Sequence, residues 1–231
     1  MFEINNFKMQ YEGIFFEDFN LLVENNNIYF VLSKNEMYIN ILFDVLQGFR
    51  KEESGTITFP DETINDPHKR PFSMVDRLQK IANFDTELTL RDFMDFSSKI
   101  RGNLKDKVLE ILLHFDLFEK DLNQKIKNCD PIDFKAVYLA LCLANNHTNI
   151  VINDFIRGED KDFELKFNRL LEDLKKEGKA ILYLSTDIFY AYQVADRVSF
   201  IKHGLVMPDT PIISDDLEEM DIMTLYKKYL S

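Results

Sequence analysis

The run Ile28-Tyr29-Phe30-Val31-Leu32 constrains this chain more than any other stretch. Unbroken apolar residues, without the in-out alternation of a half-exposed strand, describe a strand buried on both faces. Such a strand needs cover on each side, and a helix follows at once. Tyr38, Ile41, Leu42, Val45, Leu46 and Phe49 recur at helical spacing, with Gly48 as the stop. A buried strand feeding a helix opens a largely parallel α/β sheet.

The alternation recurs along the chain. Phe2, Ile4 and Phe7, then Phe19 to Val23, read as strands ahead of the buried run. Ser54-Gly55 opens a strand from Thr56 to Phe59. Later strands are Ile150-Val151-Ile152, Ile181 to Leu184 and Val198 to Ile201. A long charged helix, Asp162 to Glu177, follows the first of these, and a short helix follows the second. A turn at His203-Gly204 and a C-terminal helix close the chain. Residues 86–130 break the rhythm with helices. One begins at Thr89 and Arg91 and carries Phe93, Phe96 and Ile100. Another, Lys105 to Phe115, carries Val108, Ile111, Leu112 and Phe115. Phe93 and Phe96 are expected to be core in part. A further helix runs from Pro131 to Asn145. The expectation is a single domain over 1–231, with an α/β core (1–85 and 131–231) and a helical subdomain (86–130).

Bulk properties narrow the function. The 231 residues suffice for one large domain. A net charge of −12 argues against nucleic acid as the main partner, because phosphate binding needs clustered cations. It leaves room for a membrane protein with basic cytoplasmic loops. Cys129 and Cys142 read as buried thiols suited to a reducing compartment. The histidines lack ligand spacing, so no metal site is expected. The first residues show no charged-then-apolar leader pattern, and no apolar run reaches the roughly 18 residues a membrane span needs.

Several segments, in order, resemble the ATP-binding subunit of ABC transporters over nearly the whole chain. Ile28-Tyr29 leads the strand before the phosphate loop. Gly48 and Ser54-Gly55-Thr56-Ile57 resemble the family's "AG…SGxI". Glu87-Leu88-Thr89-Leu90 resembles "ELTV", and Ala195-Asp196-Arg197-Val198 with Lys202-His203-Gly204 resembles "ADRV…I.DG". The resemblance implies an α/β, P-loop NTPase-like ABC ATPase core: a largely parallel sheet, an antiparallel β part and a helical subdomain.

The positions that handle ATP in that family are changed here. Its phosphate loop, G-x-x-G-x-G-K-[ST], falls on Ser33-Lys34-Asn35-Glu36-Met37-Tyr38-Ile39-Asn40. Ser33, Glu36 and Tyr38 stand for glycines, Ile39 for the phosphate-binding lysine, and Asn40 for the Mg²⁺-binding hydroxyl. Ser33-x-x-Glu36 reads instead as a capping box. Lys34 attracts anions but lies outside the lysine position. The signature that meets the opposite subunit's nucleotide falls on Cys129-Asp130-Pro131-Ile132-Asp133. Asp130 reads there as an N-cap, Pro131 as the first helical residue, and Asp133 as a complement to the helix dipole. Asn153 replaces the metal-binding Asp, and Asp154 the catalytic Glu. Thr186 takes the switch-His position, followed by Asp187. Remnants are Tyr11 near the adenine-stacking aromatic, Gln79 near the Q-loop glutamine, and Asp160 in Gly158-Glu159-Asp160 of the D-loop. Tyr11 is read more readily as core or edge packing.

By resemblance, then, this is a degenerate ABC ATP-binding subunit in which no catalytic site is expected intact. No cofactor is expected. It would dock to a transmembrane transporter subunit, with Phe84 and Gln79 at the groove for a coupling helix. It would pair as a homodimer or as a heterodimer with another ABC ATPase subunit. It would sit in the cytoplasm on the inner face of the cell membrane. One alternative is a divergent subunit that binds ATP with Mg²⁺ weakly and supports slow hydrolysis in a complex. Another is a soluble regulatory protein.

Overall fold

The structure is a computed structural model that describes residues 1–60, 62–64, 66–77, 87–101, 104–206, 210–211 and 227. The C-terminal helix expected from the sequence lies outside the described residues, as do Gln79 and Phe84. The chain forms two compact units: Met1–Phe72 with Thr148–Asp154 and Lys175–Ser231, and Ser73–His147 with Phe155–Leu174.

The first unit begins with β1 (Phe2–Tyr11) and β2 (Ile14–Val23), an antiparallel pair with Phe2 opposite Val23. Ile4 and Phe7 are both buried, although their odd spacing should place them on opposite faces. The register shifts between them, and Asn6 between them takes φ 48°. A bulge therefore re-phases the strand. Asp18, at φ 47°, stands likewise between the buried Phe16 and Phe19. After β3 (Asn27–Leu32) and α1 (Glu36–Gln47), β4 (Ser54–Phe59) and β5 (Glu62–Thr63) complete the sheet β2-β1-β4-β5. Gly55, at φ 109°, lies where a Cβ would fall 2.7 Å from the Phe7 Cα, so only glycine lets β4 approach β1 there.

β6 (Phe72–Val75) comes next in the chain, and the second sheet is parallel through β3, β7 (Asn149–Asn153), β8 (Ala180–Ser185) and β9 (Arg197–Lys202), in the order β9-β3-β8-β7. Ile28 aligns with Ile181 and Leu32 with Phe200. Two-residue strands β10 (Leu205–Val206) and β11 (Thr210–Pro211) pair antiparallel with β9. Asp196 fixes this sheet. Its carboxylate accepts the Ile28 N–H at 2.8 Å and pairs with Lys175 at 2.7 Å. The "ADRV" resemblance therefore marks a structural carboxylate.

In the second unit α2 (Leu90–Arg101) starts at a reciprocal cap. Asp92 accepts the Thr89 N–H, and the Asp92 N–H donates to the Thr89 hydroxyl. Leu90 and Met94 are fully buried and Phe93 half-buried, whereas Phe96 is 65% exposed. The pairing of Phe96 with Phe93 in the core is thus corrected: the inward face follows Leu90, Phe93 and Met94 at i, i+3 and i+4. With α3 (Lys105–Leu112), the unit also takes α4 (Pro131–Leu143) and, as far as Leu174, α5 (Lys161–Lys176). These two helices were expected in the core over 131–231. Aromatic contacts draw them to the helical unit: Phe93 meets Phe134 at 5.2 Å, and Phe115 meets Phe163 at 5.1 Å.

Candidate functional site

The stretch that follows β3 starts α1 at Glu36, and its N-cap is Asn35, not Ser33. Asn35 has extended dihedrals (φ −96°, ψ 109°), and its Oδ1 accepts the Met37 N–H at 3.0 Å. The buried Ser33 lies too far back to reach the helix, and its hydroxyl accepts the Asn35 N–H at 3.2 Å instead. The Ser33–Glu36 capping box is therefore corrected to an Asn35 cap, with Glu36 in the first turn where its charge complements the dipole. Tyr38 packs edge-on against Phe16, ring centroids 5.3 Å apart, and Ile39 is 1% exposed. Both side chains belong to the core.

At the end of β7, the Asn153 Nδ2 donates to the Asn40 Oδ1 at 3.2 Å. Two neutral carboxamides thus face each other where the resemblance places the Mg²⁺ ligands, and they offer a divalent cation no charged oxygen. Asp154 is 4% exposed and adopts φ 44°. Its Oδ1 accepts the Ser185 hydroxyl at 2.7 Å, and its N–H donates to the Leu184 carbonyl. The Asp187 N–H in turn donates to the Ser185 hydroxyl at 3.0 Å. Thr186 is half-buried between these partners. Asp187 caps α6 (Ile188–Val194) by accepting the N–H groups of Phe189 and Tyr190.

The remaining positions also serve local structure. Asp130 accepts the Ile132 N–H at 2.9 Å with Pro131 opening α4. Asp133, in that first turn, accepts from the Gln124 amide at 3.0 Å. Burial holds the Asp133 carboxyl above its ordinary range, against the Gln124 hydrogen bond and with help from Asp130 and Asp121. Burial also raises the Cys129 thiol, and both cysteines are free. Asp160 accepts the Phe163 N–H at 2.9 Å and so begins α5. Tyr11 is half-buried, and the Arg50 guanidinium lies 3.9 Å from its ring centroid. That face carries a cation–π contact, neither pure core packing nor an open stacking surface.

No family model matches the chain. Among curated proteins, the xylose/arabinose import ATP-binding protein XylG of Sulfolobus acidocaldarius is 22% identical over 85% of this chain and 82% of its own length. The ribose import ATP-binding protein RbsA of Bacillus subtilis is 21% identical over 84% of this chain. The chain spans 41% of that relative, and 24% of its Caldanaerobacter subterraneus counterpart. A solved ATP-binding subunit of an ABC transporter superposes with a TM-score of 0.82 at 16% identity, covering all of both chains. The cbiO1 structure from Clostridium perfringens gives 0.78 at 18% identity, over 99% of this chain and 95% of that one. The chain has the fold of the ABC ATP-binding cassettes. The resemblance read from the sequence is thereby supported at the level of fold and relatives.

Within this fold, Ser185 is a hydrogen-bonding residue of the candidate site that sequence reasoning missed. It joins the carboxylate at the end of β7 to the turn after β8, and only its parallel register with β7 brings it there. Its polar side chain ending a run of buried apolar residues was the available signal. The cap at Asp130 can be tested directly. Asp130→Ala should lower stability by about 1 kcal/mol in urea unfolding, the usual weight of an N-cap. An unchanged midpoint would mean that the cap contributes nothing.

Proposed function

We propose that this cassette is a non-catalytic subunit that docks to a transmembrane transporter partner on the cytoplasmic side. The observation that carries the reading is the Asn153–Asn40 hydrogen bond. The side chains at both metal positions are neutral and turned on each other, so Mg²⁺·ATP does not fit the donor set, and no hydrolytic step is derived through it. Other features support the same reading. Asn35 serves the α1 N-terminus, Ile39 lies in the core, and Asp130 occupies the start of α4. Relatives named for sugar import and a neighbour described as part of the cbiONQ transporter complex support a membrane partner. A neighbour solved as a dimer supports pairing with a second cassette. Among the described residues no helix is long and apolar enough to cross a membrane, so attachment would run through the partner.

Titration of the isolated protein with millimolar Mg²⁺·ATP is the test. A ligand that binds only the native state stabilises it by about 2.7 kcal/mol at a hundredfold excess over Kd. No rise in Tm is expected, and a clear rise would end the non-catalytic reading. Copurification from detergent-solubilised native membranes should bring down a transmembrane protein. Its absence would leave a soluble regulator.

A further inference from the structure

The second unit holds a buried lysine. Lys135, in the second turn of α4, is 5% exposed, and its chain neighbours Phe134 and Ala136 are fully buried. Its ammonium pairs with the Glu159 carboxylate. It also lies 4.5 Å from the Phe155 ring centroid and 5.7 Å from that of Phe163, and both rings are themselves buried. Those distances are within the reach of a cation–π attraction.

Stability alone is a poor reason for such a pair. Withdrawing two charges from water costs about as much as their attraction gains, and well-packed apolar residues often serve as well. Apolar packing suits this position, since Phe155 and Phe163 already wall it. An ion pair adds direction, because it fixes where one particular residue sits. That residue is Glu159, in the loop that leads into α5.

The two ends of the loop are anchored by other means. Phe155 and Ile156 are buried at its start, and at its end the Asp160 carboxylate accepts the Phe163 N–H. Between them Arg157 and Gly158 are exposed. Gly158 takes φ 83°, which lets the Glu159 N–H turn back to the Ile156 carbonyl at 3.0 Å. This bond closes a β-turn over residues 156–159. Turns exposed in this way are among the first parts of a protein to open. The half-buried Glu159 side chain reaches from the turn to Lys135 and so joins it to α4.

We propose that Lys135 and Glu159 form a conformational clamp that holds the turn over 156–159 in one shape and ties it to α4. The clamp specifies the shape of the loop, and the stability of the unit does not depend on it. It lies within the second unit and needs neither a nucleotide nor a membrane partner.

Amide hydrogen exchange, followed by NMR on the whole protein, reads the turn directly, because the N–H of residue 159 closes it. In Lys135→Met/Glu159→Met, that amide should exchange about tenfold faster or more than in the wild type. The amides of residues 139–143 in α4 should keep their rates, and the urea midpoint should not fall. Glu159→Gln keeps the size of the side chain and removes its charge, so it should speed the same amide by a smaller factor. The proposal is overturned if the amide of residue 159 exchanges at the wild-type rate in both variants. It also fails if the double variant does not fold, or if that amide speeds up only in step with those of α4 while the midpoint falls. Either result would make the pair a support of the whole unit.

Discussion

Ile39→Lys, which places a lysine where the ABC ATP-binding subunits it resembles have their phosphate-binding lysine, should destabilise the protein by about 3–5 kcal/mol and produce no ATP hydrolysis. Ile39 is 1% exposed on α1, next to the equally buried Ile41 and Leu42. The exchange forfeits about 1.5–3 kcal/mol of apolar burial. It also places an ammonium where it must lose its water or its proton, near a helix N-terminus whose dipole disfavours cations. A loss of that size is a large fraction of the roughly 5–15 kcal/mol that stabilises a typical domain. Ile39→Val, at about 0.5–1.5 kcal/mol, serves as the packing control. Urea midpoints and phosphate release would be measured on all three proteins. Activity is not expected, because Asn40, Asn153 and Asp130 stay in place and residues that act as a unit do not rescue one by one. A variant with the wild-type midpoint that releases phosphate would mean that position 39 opens onto a working phosphate site.

Periodicity made the architecture legible. The apolar run Ile28–Leu32 and the spacing of Tyr38 to Leu46 give β3 and α1 directly, and the later short apolar runs give β7, β8 and β9. What stayed hidden depended on backbone detail or distant packing. The bulge at Asn6 explains why Ile4 and Phe7 share a face, and a positive φ at a short polar residue leaves only a faint trace in sequence. Ser33 and Asn35 are both good cap residues, and the extended dihedrals of Asn35 decide between them. Helices α4 and α5 join the helical unit through Phe134 and Phe163, whose aromatic partners lie far away in the chain. Substitution at single positions was legible, but the Asn40–Asn153 and Asp154–Ser185 pairings needed the fold to bring them together.

Asp154 separates a structural carboxylate from a catalytic one. In its present setting Asp154→Ala should cost about 2–4 kcal/mol. The hydrogen bond from Ser185 to a charged acceptor accounts for about 1.5–3 kcal/mol, because the change leaves the fully buried Ser185 without that acceptor. The φ of 44° adds to the loss, since Asp and Asn tolerate the left-handed region better than Ala does. Asp154→Asn keeps both an acceptor and that tolerance, so its loss should be smaller than alanine's. Ser185→Ala supplies the other corner of a double-mutant cycle with Asp154→Ala, and a coupling of about 0.5–3 kcal/mol is expected between groups in contact. A general base would behave in the opposite way: Asp154→Asn would abolish hydrolysis while leaving the urea midpoint in place, and the cycle would show no coupling. An Asp154→Ala protein as stable as the wild type would show that the carboxylate is not needed to hold Ser185, which would leave its buried position at the end of β7 to be explained by chemistry.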